Sequence, residues 1–282
     1  MTQYSFPVSG PLRVHAGTRS SDLTITATET TEATVLLEPQ RDNPTGRSYA
    51  EDTLVELHGD VLNITVPRAT GLFFGSTPRL HIHVRVPTGS DVEVFSGSGD
   101  LNARGTVGSV QVRTGSGEVY LQDAGAVQVA TGSGDVVADS LSDGDFKSGS
   151  GDLRLGRASG RIETKSGSGD LIIDSATDVV ATTASGDTRI GTLAGTARIR
   201  SASGDLEVRE ATYGTINASS ASGDVTVAVP AGTPVLLDCS STSGNTKSTL
   251  SATGAPQGDE QVLKVEARSV SGDILITNTR PR

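Results

Sequence analysis

The chain has 282 residues and a formal net charge of −10, which argues against nucleic acid and anionic membrane surfaces as partners. With 34 glycines, five Phe, four Tyr and no Trp, its core must be built from small and β-branched residues rather than large aromatics. The length fits one or two domains, and a single cysteine, Cys239, excludes an intrachain disulfide.

Residues 1–20 contain neither an apolar signal core nor a cleavage site, and no run reaches the roughly 18 apolar residues of a membrane-spanning helix. The expectation is a cytoplasmic protein without a membrane span, with the cell surface as the alternative if an unrecognised route exports it. Short alternating runs follow at residues 12–14, 23–27 and 33–37. Residues 39–51 read as a loop by composition. Leu54-Val55-Glu56-Leu57 and residues 61–66, either side of His58-Gly59-Asp60, read as a strand–turn–strand hairpin. A second loop, residues 67–78, holds Phe73 and Phe74, which either pack on the cap or form an exposed patch for a partner. Residues 80–86 alternate again, so His81 and His83 share one face. With no Cys or Asp at ligand spacing nearby, they read as surface or packing histidines. Residues 1–91 are taken together as an irregular β region capping what comes next.

From residue 92 to the end the chain is organised by one motif, [Ser/Thr]-x-Ser-Gly-[Asp/Glu/Asn]. It occurs at Ser98-Gly99-Asp100, Ser116-Gly117-Glu118, Ser133-Gly134-Asp135, Ser150-Gly151-Asp152, Ser168-Gly169-Asp170, Ser185-Gly186-Asp187, Ser203-Gly204-Asp205 and Ser222-Gly223-Asp224, then at Asn245 and Asp273. Successive gaps of 18, 17, 17, 18, 17, 18, 19, 21 and 28 residues mark a solenoid. Each period holds two alternating runs. Leu171/Ile173 and Leu206/Val208 follow the acid, and Val110/Val112 and Ala197/Ile199 precede the turn. Two strands and two turns per period, stacked at roughly 4.8 Å, make an all-β, single-stranded parallel β-helix, right-handed by analogy with parallel crossovers. Residues 92–282 are expected to form one continuous structural unit. Parity carries Thr114 and Ser116 inward as a hydroxyl ladder, and the glycine serves a corner needing positive φ or close packing. Cys239 falls at a small inward position and reads as a buried small residue. An insertion at about residues 251–260 is expected to protect the far edge.

The stretches Leu62-x-Ile64-x-Val66-Pro67 and Val84-x-Val86-Pro87-x-Gly89-Ser90, followed by serial Ser-Gly corners, resemble the bacterial "putative adhesin" β-strand-repeat family, actinobacterial members in particular. They also resemble, more distantly, the auto-transporter adhesin head family. The resemblance covers essentially the whole chain and implies a solenoid with a surface-adhesive role, without implying a chemistry.

The acidic column is the main candidate site. Like charges at this spacing repel by about 0.9 kcal/mol per neighbouring pair in water. One reading is that each acid caps its own turn, with Arg113, Lys165 and Arg200 as counter-charges. The other is a row of Ca²⁺ sites, which one carboxylate per coil supplies with too few oxygens. No metal or other cofactor is therefore expected. Neither a Ser/His/Asp constellation nor a phosphate loop leading into a helix is present. The expected function is a non-catalytic adhesin-like or scaffold module that binds a protein or glycan partner through its surface. Alternatives are a structural protein stacking end to end and a carbohydrate-active enzyme.

Overall fold

A computed structural model describes residues 1–68, 78–251 and 262–279. Phe73, Phe74 and all of the insertion at residues 251–260 except Ser251 lie outside them. The chain is all-β, a parallel β-solenoid, and divides into two compact units, Met1–Ser140 and Leu141–Arg282.

In Met1–Ser140 the strands stack as two series. One runs Val61–Thr65, Arg13–Arg19, Asp91–Ser96, Val110–Thr114, each parallel to the next. The other runs Leu80–Pro87, Asp22–Thr28, Leu101–Val107 and the first half of Val119–Thr131. Alternation drives both, because a strand sends successive side chains to opposite faces. Val14, Ala16, Leu23, Ile25, Leu62, Ile64, Ile82 and Val84 are all buried. The stacking is out of sequence order: the coil of residues 13–28 lies between the coil of residues 61–87 and the first repeat coil. Beyond the coil of residues 61–87, Glu32–Pro39 pairs antiparallel with Leu80–Pro87 and with Thr2–Pro7. The expected hairpin is present, Leu54–His58 pairing antiparallel with Val61–Thr65.

Residues 39–51 are not simply a loop: Pro44–Glu51 is an α-helix. Asn43 caps it, its Oδ1 accepting from Gly46 N at 2.7 Å, and Pro44 occupies the first turn, where its missing N–H costs nothing. Tyr49 and Ala50 are buried, and the Tyr49 hydroxyl donates to Pro67 O at 2.9 Å. Tertiary burial of one face thus stabilises a segment whose composition favours a turn.

In Leu141–Arg282 the coils lengthen into near-continuous strands, Leu171–Ser185, Thr188–Ser203 and Leu206–Ser222, paired in parallel throughout. Each of the two pairings contains one register shift, between Ala176 and Asp178 in the first and between Leu193 and Gly195 in the second. The bulge turns the corner without ending the ladder. Ile173, Ile190 and Val208 stack in register on the inside, each at most 1% exposed. Thr188 occupies the apolar column between Leu171 and Leu206, buried with its hydroxyl unpaired. The order inverts here as well. Leu263–Ser271 pairs with Leu206–Ser222 on one side and with Val235–Ser241 on the other, so the last coil in sequence lies inside the one before it.

Candidate functional site

In six of the ten motifs the first hydroxyl, not the second, is buried, and at Ser96, Ser148, Ser166 and Ser241 it is half-buried. Thr114, Thr131, Thr183, Ser201, Ser220 and Ser269 are buried. Ser116, Ser133, Ser150, Ser168, Ser185, Ser203 and Ser222 are exposed and Ser98 is half-buried, which corrects the inward placement of Ser116. At Ser116 strand parity ends earlier than expected, because the strand Val110–Thr114 stops at the first hydroxyl and the turn begins at Gly115. In five motifs the first hydroxyl closes the turn by accepting from the motif glycine's N–H: Ser96 from Gly99 at 3.0 Å, Thr114 from Gly117 at 3.0 Å, Thr131 from Gly134 at 2.9 Å, Ser148 from Gly151 at 2.9 Å and Ser241 from Gly244 at 3.0 Å. Elsewhere, Gly186 N and Gly204 N donate to the backbone carbonyls of Ser203 and Ser222, and the Ser201 hydroxyl is buried unpaired.

The motif glycines permit close approach between coils. A Cβ on Gly117 would run into the carbonyl oxygen of Gly99, one on Gly134 into that of Gly117, and one on Gly186 into that of Gly169. Positive φ is added only at Gly169, Gly186, Gly204 and Gly223.

Seven of the acids reach along the stack: the carboxylates of Asp100, Asp152, Asp170, Asp187, Asp205, Asp224 and Asp273 each accept from the backbone N–H at the acidic position of the next coil. In Met1–Ser140, Glu118 N donates to Asp100 Oδ1 at 2.9 Å. In Leu141–Arg282, Asp170 N donates to Asp152 Oδ1 at 2.8 Å, Asp187 N to Asp170 at 2.9 Å, Asp205 N to Asp187 at 2.9 Å and Asp224 N to Asp205 at 2.8 Å. The column continues through Asp273 and ends on Asn245, whose N donates to Asp273 Oδ1 at 2.8 Å. The spacing that makes the charges repel also puts these Oδ1 atoms within reach of the next N–H.

Sequence reading missed the first rung. Asp100 N donates to Asp22 Oδ1 at 3.2 Å, and Asp22 ends Thr18-Arg19-Ser20-Ser21-Asp22, the same motif with serine in the glycine position. That serine is itself buried. Ser21 Oγ accepts from Leu80 N at 3.0 Å. Position-by-position matching that tolerated Ser for Gly would have found this copy.

Two of the assigned counter-charges, Lys165 and Arg113, have partners other than the column. Lys165 pairs with Glu163 at 2.8 Å, and Arg113 sits over the Phe95 ring, 5.6 Å from its centroid. Arg189 is the cation that feels the column: its hydrogen bond to Glu207 raises its pKa, and the charges of Asp187 and Asp170 add to the effect. His81 pairs with Asp22 at 3.3 Å and His83 with Glu38 at 3.8 Å, so the two histidines have different acidic partners. Among the described residues no group of three His, Cys, Asp or Glu is arranged to hold a metal ion, and no helix is long and apolar enough to cross a membrane.

Beside the column in Leu141–Arg282 lies an open groove of about 750 Å³ lined by Asp174, Glu207, Arg209, Glu210, Thr226 and Asn278 among others. Arg189 Nε donates to Glu207 at 2.6 Å and Arg209 Nε to the other oxygen of the same carboxylate at 3.2 Å. Partial burial pushes the Glu207 carboxyl up, but the two arginines outweigh it and hold the group below the usual carboxylate range. The groove therefore presents fixed charges of both signs beside hydroxyl and amide groups.

The ladder makes a charge prediction. Asp187→Asn combined with Asp205→Asn keeps every Oδ1 acceptor and removes two repelling charges. It is expected to leave stability unchanged or raise it by about 1 kcal/mol. Salt is expected to raise the melting temperature of the wild type more than that of the double variant, with Ca²⁺ adding nothing beyond its ionic strength. Thermal melts in NaCl and CaCl₂ at matched ionic strength check both. A calcium-specific rise reversed by chelator contradicts the ladder reading.

No curated protein matches this chain. Among solved structures it is 10% identical to a "putative adhesin" from Bacteroides fragilis, covering 98% of this chain and 96% of that one with a TM-score of 0.42. It is 15% identical to a "putative lipid binding protein" from Parabacteroides distasonis, covering 98% and 96% at a TM-score of 0.45. To a "putative adhesin" from Parabacteroides merdae it is 13% identical, covering 96% and 95% at 0.42. Residues 14–277 match the family described as Toastrack DUF4097, a span that runs from the first buried coil through the last acidic corner, and the chain belongs to that family.

Proposed function

We propose that this protein is a non-catalytic binding module, an adhesin-like scaffold that recognises a protein or glycan partner through side chains held outward at fixed spacing. The observation carrying this reading is the groove at Glu207, Arg209 and Glu210. Glu207 and Arg209 in it are already paired, Glu207 also with Arg189, so a ligand meets side chains whose ordering cost is partly met. Hydroxyls and amides at Thr226 and Asn278 beside a paired carboxylate suit a polyhydroxylated or peptide ligand, which exchanges water for equivalent hydrogen bonds. Glycan-array screening and cell-surface pull-down with the full chain test it. Binding is expected for the wild type and is expected to fall at least tenfold, about 1.4 kcal/mol, in Arg209→Ala with Glu210→Ala. Equal binding by the variant removes the groove as the recognition surface. Turnover of a captured glycan replaces the binding reading with an enzymatic one.

A further inference from the structure

The coil made by Val235–Ser241 and Thr246–Ser248 is the end coil of its stack among the described residues. Val235–Ser241 pairs on one side with Leu263–Ser271, and Thr246–Ser248 on one side with Ile274–Asn278. Among the described residues nothing pairs with their other edges, and an open edge is a template for another strand.

The end coil is also apolar where it should be covered. Val235, Leu237 and Cys239 continue the inward column of Leu263, Val265 and Ala267, which are 0% exposed. Leu237 is nevertheless 42% exposed and its outward neighbour Leu236 55%. Partial burial pushes the Cys239 thiol up, and Cys239 is half-buried rather than enclosed. Val235, Leu237 and Leu250 line a recess of about 350 Å³ with Pro230 and Ser248. Edge strands that must stay alone carry Lys, Pro or a bulge. Val235–Ser241 contains none of these and one charge, Asp238, while the three-residue Thr246–Ser248 carries Lys247. In Met1–Ser140, by contrast, the coil of residues 61–87 is covered by antiparallel strands.

We propose that this end coil is the docking surface for a second copy of the same chain, joined end coil to end coil about a two-fold axis. Charge selects that occupant. Every other rung of the acidic column in Leu141–Arg282 is Asp, and the terminal rung is Asn245. An aspartate there would face its own symmetry mate across the joint. Asparagine carries no charge and offers both donor and acceptor, so it can pair with an identical residue. Residues 230–251 contain one Asp and one Lys in a chain of net charge −10, so the end coil is the neutral part of an acidic protein. A neutral, self-complementary edge fits its own copy, and a two-fold contact closes after two chains. This proposal does not rest on the groove, with whose lining the recess shares only Asn278.

Sedimentation equilibrium of the full chain from about 1 to about 100 μM tests it, with thermal melts at the lowest concentration so that dimer mass action does not contribute. The wild type is expected to form a dimer and nothing larger. Leu237→Lys is expected to be monomeric throughout with an unchanged melting temperature. Asn245→Asp, which keeps the backbone N–H to Asp273 but replaces the 3.5 Å amide contact with a second carboxylate, is expected to weaken association roughly tenfold at low salt, with recovery as salt screens the new charges and with its own melting temperature measured at the lowest concentration as the control for the fold. A wild type monomeric at the top concentration overturns the proposal, as does a dimer indifferent to Leu237→Lys or a species growing beyond two chains. A monomer in which Leu237→Lys lowers the melting temperature also overturns it, because that result means the chain covers its own end.

Discussion

Replacing Gly169 with valine is expected to destabilise the protein by about 3 kcal/mol or more, one of the largest effects a single surface substitution can have here. Two costs act together. The residue sits at φ +118°, where a β-branched side chain is strained, and a Cβ would lie 2.5 Å from Gly151 O and 3.1 Å from Ser150 O. Both obstacles are backbone, which cannot swing aside as a side chain would. Pushing them apart opens the ladder in which Asp170 N donates to Asp152 Oδ1. The adjacent substitution Asp170→Asn is the control. It preserves the acceptor for Asp187 N at 2.9 Å and is expected to change stability by less than about 1 kcal/mol. Urea melts followed by circular dichroism compare the two. Similar losses for both refute the close approach as the reason for the glycine.

Ile190→Ala is expected to cost about 3–4 kcal/mol, and Ile190→Val about 1 kcal/mol. Ile190 is 0% exposed and packs in register between Ile173 and Val208. A globular core partly collapses into the space left by a deleted side chain. Here the hydrogen-bonded ladder holds the coils roughly 4.8 Å apart, so the neighbours cannot close the gap and the full cavity cost remains. Chemical denaturation of the three proteins gives the differences. A loss under about 1.5 kcal/mol for the alanine variant means that the coils relax and that the interior is looser than its burial implies.

Most of the corner was legible because it repeats. Ten copies of one motif turn a weak local signal into a column, and Ser-Gly in every copy marks the point where coils approach too closely for a Cβ. The direction of Ser116 was not legible, since alternation predicts a face only while the strand lasts and the turn begins at Gly115. The helix Pro44–Glu51 was missed although Asn43-Pro44 is a cap signal, because burial of Tyr49 and Ala50 contributes more than propensity in so short a segment. The groove at Glu207 and Arg209 had no linear signature at all: its lining comes from successive coils and becomes contiguous only when they stack.

By itself the sequence determined the all-β class, the coil length, which residues of each strand face inward and where glycine is obligatory. These depend on spacings of two residues or of one coil, and the pattern repeats often enough to read. Only the tertiary structure decided which coil lies beside which. Residues 13–28 pass between coils that follow them, and Leu263–Ser271 enters between Leu206–Ser222 and Val235–Ser241. The entropy of closing a loop grows only slowly with its length, so such insertions are tolerated and leave no local mark. The same stacking order made Asp22 the first rung of the column in its unit, gave seven of the column's carboxylates a partner in the neighbouring coil, and left Asn245 and Leu237 on the end coil, where no further described coil covers them.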